Sequence, residues 1–286
     1  MTRPARQEQR GIAIALLASL LLWNLPYGGL VLYPFKLFAT WLHELSHGLV
    51  MTLSGCGFNY VLIYRDSSGL AYSNTPMAAW SIPFIAAAGY MGTPLWGAVM
   101  LWITPTAKRA RLVLGVLGVM LVFTSFTVVA VDEDAFGPWA IGVMGGAFIV
   151  VAAIVPEKAR RPLVHFVAAQ ACINALLDIR VLLRPSQQVG GSTTASSDAS
   201  NMAMSTFGTA ADWAVWTWAA IWIVWSLGVL YLALRFSAAP GSPRAAPSDP
   251  ATATPRDESD RDAHRRSPAT APDETVPSAP ADTAAP

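Results

Sequence analysis

Leu37-Phe38-Ala39-Thr40-Trp41-Leu42-His43-Glu44-Leu45-Ser46-His47-Gly48-Leu49-Val50-Met51 sets two histidines and a glutamate inside a run that is otherwise almost wholly apolar. With 3.6 residues per helical turn, His43 and His47 fall on one face, one turn apart, where two imidazole nitrogens converge on a single metal ion. Glu44 lies roughly 100° further round the same helix. That offset suits a carboxylate that reaches a water beside the metal without ligating the metal, the arrangement by which His-Glu-x-x-His sites hydrolyse amides. Ionisable groups at bilayer depth cost on the order of 2.5–3.5 kcal/mol each, so this cluster requires a compensating function.

Working outward, hydrophobic residues make up 53% of the chain and charged residues 13%. A soluble domain carries nearer a quarter charged, so the composition is that of a polytopic membrane protein. The net charge is +1, and the basic residues lie in short loops and the tail without forming a patch, so the charge does not point to nucleic acid and no such partner is expected. Cys56 and Cys172 are too few for a disulfide framework and read as small buried hydrophobes.

Residues 1–10 carry Arg3, Arg6 and Arg10 and precede an uncharged run from Gly11 to Phe35. No small-residue cleavage site follows, so the run reads as an uncleaved first membrane helix, ended by Asn24, Pro26 and Gly28-Gly29. Pro34 suits the start of the His43 helix. Beyond it, Cys56–Tyr64 and Leu70–Tyr72 are β-rich runs around Asp66-Ser67-Ser68-Gly69, the pattern of a hairpin. Hairpin backbone cannot face lipid, so it must lie at the interface or line a protein cavity, where an edge strand can pair with an extended substrate.

Ala78 to Ile103 is charge-free, and its small residues, Ala86-Ala87-Ala88-Gly89 and Gly92, predict close packing against the His43 helix. Leu112–Val131, Pro138–Val155 and Trp213–Leu234 are further uncharged spans, the last rich in tryptophan suited to interfacial belts. Leu163–Leu183 differs, because it alone besides the His43 segment holds ionisable groups within an apolar run. A catalytic zinc held by two histidines needs a third protein ligand, and Asp178 is the only carboxylate inside another span. Asn174, about 40° from Asp178 on the helical wheel, is expected to bond that carboxylate or a substrate carbonyl. His165 falls on the far side and reads as packed or interfacial; Arg180 is placed to snorkel. Arg184–Ala211 is too polar to span and reads as a loop, in which Asp198 becomes a rival ligand if the loop folds over the site. After Phe236 the only aliphatic or aromatic side chain larger than alanine is Val276, so the tail is expected to be disordered.

His43-Glu44-Leu45-Ser46-His47, the hairpin after it, Ala88-Gly89-Tyr90-Met91-Gly92-Thr93-Pro94 and the late Asn174-Ala175-Leu176-Leu177-Asp178 together resemble the site-2 protease family of intramembrane zinc metalloproteases, most nearly its compact bacterial branch without a PDZ domain. The resemblance covers roughly residues 30–235 and implies Zn2+ held by His43, His47 and Asp178, with Glu44 as general base. It also implies a membrane-protein substrate and a bacterial plasma-membrane location. The family's late motif reads Asn, Pro, Leu-Asp-Gly; here Ile179 follows Asp178 and no proline precedes it.

The expected fold is therefore an all-α polytopic membrane protein of about six to seven transmembrane helices, with a hairpin after the His-Glu-x-x-His helix. Residues 1–10 form a cytoplasmic segment, 11–236 a membrane metallopeptidase domain and 237–286 a disordered tail. Lys108, Arg109 and Arg111, and Lys158, Arg160 and Arg161, favour the cytoplasm, with Asp132-Glu133-Asp134 outside and the tail inside. Counting back puts the hairpin outside, so either the His43 segment is re-entrant or one assignment among the first segments differs. The other readings of the same residues are a catalytically inactive zinc-binding scaffold and an ion transporter; the charge-free spans argue against the transporter.

Overall fold

The computed structural model describes residues 14, 17–19, 21–104, 106–132, 135–182, 186–190 and 193–236. The N-terminal segment 1–10 and the tail 237–286 lie outside these residues. The order is α1 (Gly28–Leu53), β1 (Phe58–Ile63), β2 (Gly69–Ser73), α2 (Ile82–Ile103), α3 (Ala107–Thr127), α4 (Phe136–Ile154), α5 (Glu157–Leu182), β3 (Ser186–Val189), β4 (Thr193–Ser196), α6 (Asp198–Phe207) and α7 (Asp212–Phe236).

Residues 21–24 are helical and the chain breaks at Leu25–Tyr27, where Tyr27 takes φ 65°, before α1 begins. Pro34 thus sits inside α1 rather than at its start. Among the described residues, five helices are long and apolar enough to cross a membrane, namely α2, α3, α4, α5 and α7. The ionisable α1 is not among them. On α3, Leu112, Val116, Val119, Phe123 and Phe126 are all exposed, an apolar stripe three or four residues apart on the outer face. Water would not tolerate such a stripe, whereas hydrocarbon does.

The core joins α1 to α3 and α4. Phe38 and Trp41 are buried, and Phe38 stacks on Phe148 at 5.4 Å between centroids. The Trp41 indole N–H donates to Thr124 Oγ1 at 3.0 Å, satisfying a polar atom that burial would otherwise strand. On its other side α1 meets α2 through small residues. Gly92 lies against Ser46, whose hydroxyl donates to the Leu42 carbonyl and accepts from the Trp96 indole. Further along α2, Gly97 abuts the Ala168 carbonyl and Cys172 of α5, so Cys172 is a packing residue.

The hairpin forms as its sequence requires. Antiparallel pairing sets Tyr60 opposite Tyr72, Val61 opposite Ala71 and Leu62 opposite Leu70, and the tyrosine rings stack at 4.6 Å. Asp66 closes the turn by accepting from the Ser68 N–H at 2.9 Å. Two hydroxyls of α1 then clamp the turn to the helix: Tyr33 donates to the Arg65 carbonyl and Thr40 to the Ser67 carbonyl, each at 2.7 Å. The far edge of β1 pairs with the chain after α3, Val61 N–H donating to the Val128 carbonyl at 2.8 Å. Both strands lie on α1, and β2 pairs with no strand besides β1 among the described residues.

Arg184–Ala211, expected as a loop, holds a second hairpin and a short helix. The cause is local. Ser197 accepts from the Ser200 N–H as N-cap, Asp198 follows in the first turn, and Gly208 at φ 70° ends the helix. Ala199, Met202 and Ala203 form a narrow apolar face that packs on Ala86, Ala87 and Tyr90 of α2.

α3 and α4 meet backbone to backbone at Gly118 and Gly145. A Cβ on Gly145 would stand 2.8 Å from the Gly118 carbonyl oxygen and the Val122 nitrogen, whereas one on Gly146 would meet nothing within 4 Å. Gly145→Ala should therefore destabilise the protein by about 1–3 kcal/mol and lower its melting temperature in detergent, while Gly146→Ala leaves it unchanged or higher. Equal melting temperatures for the two variants would refute this close contact.

Candidate metal centre

His47 is buried, and its Nδ1 lies 2.6 Å from the Ile85 carbonyl of α2. That bond assigns the proton to Nδ1 and leaves Nε2 as the free donor atom. His43, one turn earlier, lies against the α2 backbone at Gly89, where any Cβ would overlap its ring. The Tyr90 ring meets it edge to face at 4.7 Å and itself stacks on buried Trp222 of α7 at 5.0 Å. Both imidazoles are thus fixed by contacts with α2.

The carboxylate that joins them is Asp198. Its Oδ2 lies 3.1 Å from His43 Nε2 and 3.3 Å from His47 Nε2, and all three ligand atoms fall within 4.8 Å of one another. Donor atoms about 2.1 Å from a tetrahedral ion stand roughly 3.4 Å apart, so the spacing fits one metal ion with a fourth position open. Burial pushes the Asp198 carboxyl up, and His47 and His43 beside it more than reverse this, holding it well below the usual carboxylate range.

Glu44 is buried on the neighbouring face of α1, beneath β2, where the Ala71 N–H donates to its carboxylate. A Cβ at Gly69 would stand 2.7 Å from Glu44 Cγ and 2.8 Å from Oε1, so only glycine lets the strand lie this close. Glu44, both histidines and Asp198 line one cavity of about 390 Å3. Its other walls include Met51, Leu70, Met77 and Ile82.

The geometry places the remaining residues singled out in the sequence as follows. Asp178 lies outside the group formed by His43, His47 and Asp198: it is an exposed residue near the end of α5, and its backbone carbonyl accepts from the Tyr90 hydroxyl at 3.5 Å. Asn174 is buried but turned away from the cavity, donating to the Gln170 carbonyl at 2.9 Å. Asp198, read in the sequence as a rival, is the carboxylate that arrives. The signal that could have raised it was the Ser197 cap, which makes Asp198 the first residue of a helix with an apolar face rather than part of a slack loop. His165 is buried elsewhere on α5, as its position on the wheel implied, and Cys56 is buried with its thiol on the Met51 carbonyl.

Membrane-length apolar helices packed round a His-Glu-x-x-His helix, with a carboxylate brought to the two imidazoles, define an integral membrane protein with the donor set of a metallopeptidase. The comparison with protein families agrees and narrows it: the model described as Peptidase M50B-like matches residues 12–233, and the chain belongs to that site-2 protease-like family. No curated protein and no solved structure matches the chain.

The two close-approach glycines separate the parts of the site. Gly89→Ala should displace the rigid His43 ring and lower the metal content of purified protein at least about tenfold. Gly69→Ala should leave metal content near wild type but push the Glu44 carboxylate aside. Elemental analysis of both variants reads the difference, and equal metal retention in the two would contradict the assigned contacts.

Proposed function

We propose that this chain is an intramembrane zinc metalloprotease that cleaves peptide bonds of membrane-protein substrates, with zinc held by His43, His47 and Asp198 and with Glu44 as general base. The observation that carries the reading is the single carboxylate oxygen of Asp198 at 3.1 and 3.3 Å from two imidazole nitrogens, facing the cavity that Glu44 shares. Two histidines and one carboxylate form a donor set suited to catalytic zinc. Zinc bound there would supply Lewis-acid chemistry, acidifying water and polarising a carbonyl.

The chain's own residues account for the rest. Glu44 takes one proton from a water in the cavity as the water oxygen bonds to the scissile carbonyl carbon. The same carboxyl then delivers that proton to the amide nitrogen as the C–N bond breaks, giving a carboxylic acid and an amine; transfer of the second water proton from acid to amine leaves a carboxylate and an ammonium. The Ala71 N–H orients the carboxylate for both transfers. β2 offers backbone groups beside Glu44, so a substrate unwound from its helix can lie extended along the strand. The apolar walls at Met51, Leu70, Met77 and Ile82 suit the side chains of a membrane segment.

Glu44→Gln should retain zinc and lower proteolysis by about 10²–10⁴-fold. Asp198→Ala should lose zinc affinity by about 10–100-fold or more, whereas Asp178→Ala should retain it, because the Asp178 side chain is exposed outside the group. Zinc analysis together with a detergent-phase cleavage assay on purified protein tests all three. Zinc without turnover in the wild type would instead favour a catalytically inactive zinc-binding scaffold. Zinc lost on Asp178→Ala and kept on Asp198→Ala would reverse the ligand assignment.

A further inference from the structure

Hydrolysis of an amide places growing negative charge on the carbonyl oxygen, and a site that stabilises it needs a donor aimed into the cavity. Most of the donors that line this cavity are already committed. His43 and His47 face Asp198, the Ala71 N–H bonds Glu44, and the Tyr90 hydroxyl reaches for the Asp178 carbonyl. Asn174, the amide expected from the sequence to meet the substrate, is buried and bonded to the carbonyl of Gln170. Asn201, like the Ser196 hydroxyl of β4, is not so engaged among the described residues. It lies three residues after Asp198 on α6, so the two side chains share a face of the helix. Its backbone N–H continues the helix to the Ser197 carbonyl, while its side chain is exposed, lines the cavity with Glu44 and both histidines, and makes no hydrogen bond among the described residues.

We propose that Asn201 is a catalytic residue of the hydrolysis inferred above, its side-chain Nδ2 donating a hydrogen bond to the scissile carbonyl oxygen and strengthening that bond as the oxygen becomes an oxyanion. This rests on the protease reading. The placement on α6 gives the device its logic: one short helix carries a carboxylate toward the histidines and, one turn later, an amide toward the substrate. The shared face fixes both against the same cavity.

The test uses the full chain loaded with zinc in detergent, an internally quenched apolar peptide as substrate, and a phosphinic peptide as a tetrahedral probe. Asn201→Ala should lower kcat about 10²-fold with KM changed less than about threefold, and with zinc content and melting temperature unchanged. It should weaken phosphinate binding, measured by calorimetry, at least about tenfold. Asn201→Asp should fail in the same way, because a carboxylate cannot donate, and Asn201→Gln should recover part of the loss. Unchanged kcat in Asn201→Ala, or a loss confined to melting temperature, overturns the proposal. If zinc-loaded wild type has no turnover, the protease reading fails. Phosphinate binding still decides for Asn201: equal binding by wild type and Asn201→Ala, or none by either, overturns its role, and a tenfold difference upholds it.

Discussion

The structure depends on one carboxylate placed between two imidazoles. His47 and Glu44 are buried, and His43 and Asp198 are largely so. Four such groups in a low-dielectric bundle would be strongly unfavourable if each stood alone. Asp198 Oδ2 answers both histidines at once, and the Ile85 carbonyl takes the proton on the far side of His47. Glu44 accepts from the Ala71 N–H and lines the same cavity as the histidines.

The elements round the centre are shaped by how near a backbone must come to these side chains. Gly89 lets α2 pass over the face of His43, Gly92 admits Ser46, and Gly69 lets β2 lie on Glu44. Close packing of this kind is what small residues allow in membrane bundles, and here it also sets the rotamers of the site. The hairpin needs more than complementarity, because a two-stranded sheet is marginal by itself. Tyr33 and Thr40 hold its turn to α1, and the chain after α3 pairs with its outer strand, so it is anchored on both sides of Glu44.

What the sequence made legible is what local chemistry decides. His43, Glu44 and His47 are placed by helical period alone, the hairpin by a β-rich run on each side of Asp66-Ser67-Ser68-Gly69, and the packing of α2 on α1 by a row of small residues. The third member of the group, a carboxylate, is a different kind of problem. Asp178 is conspicuous in sequence because its neighbours are apolar, but an apolar run does not say which face of a helix points inward. Asp198 sits in a polar stretch whose fold depends on a cap at Ser197 and on Ala199, Met202 and Ala203 meeting α2. Those contacts join residues more than a hundred positions apart, and no window of sequence contains them.

Drawing the carboxylate that meets the histidines from outside the apolar spans has a consequence for how such a protein assembles. A carboxylate inside a span costs about 2.5–3.5 kcal/mol on insertion before any metal is present to offset it. Asp198 instead lies on α6, a short helix between α5 and α7 and not one of the membrane-length helices. The spans α2, α3, α4 and α7 can therefore enter the bilayer with their apolar faces intact, and the charged partner reaches the histidines only when α6 docks on α2. The docking surface is the same stretch of α2 that fixes the histidines: Ala86, Ala87 and Tyr90 receive α6, while Gly89 and the Tyr90 ring bound His43. Completion of the donor set is thereby tied to completion of the fold.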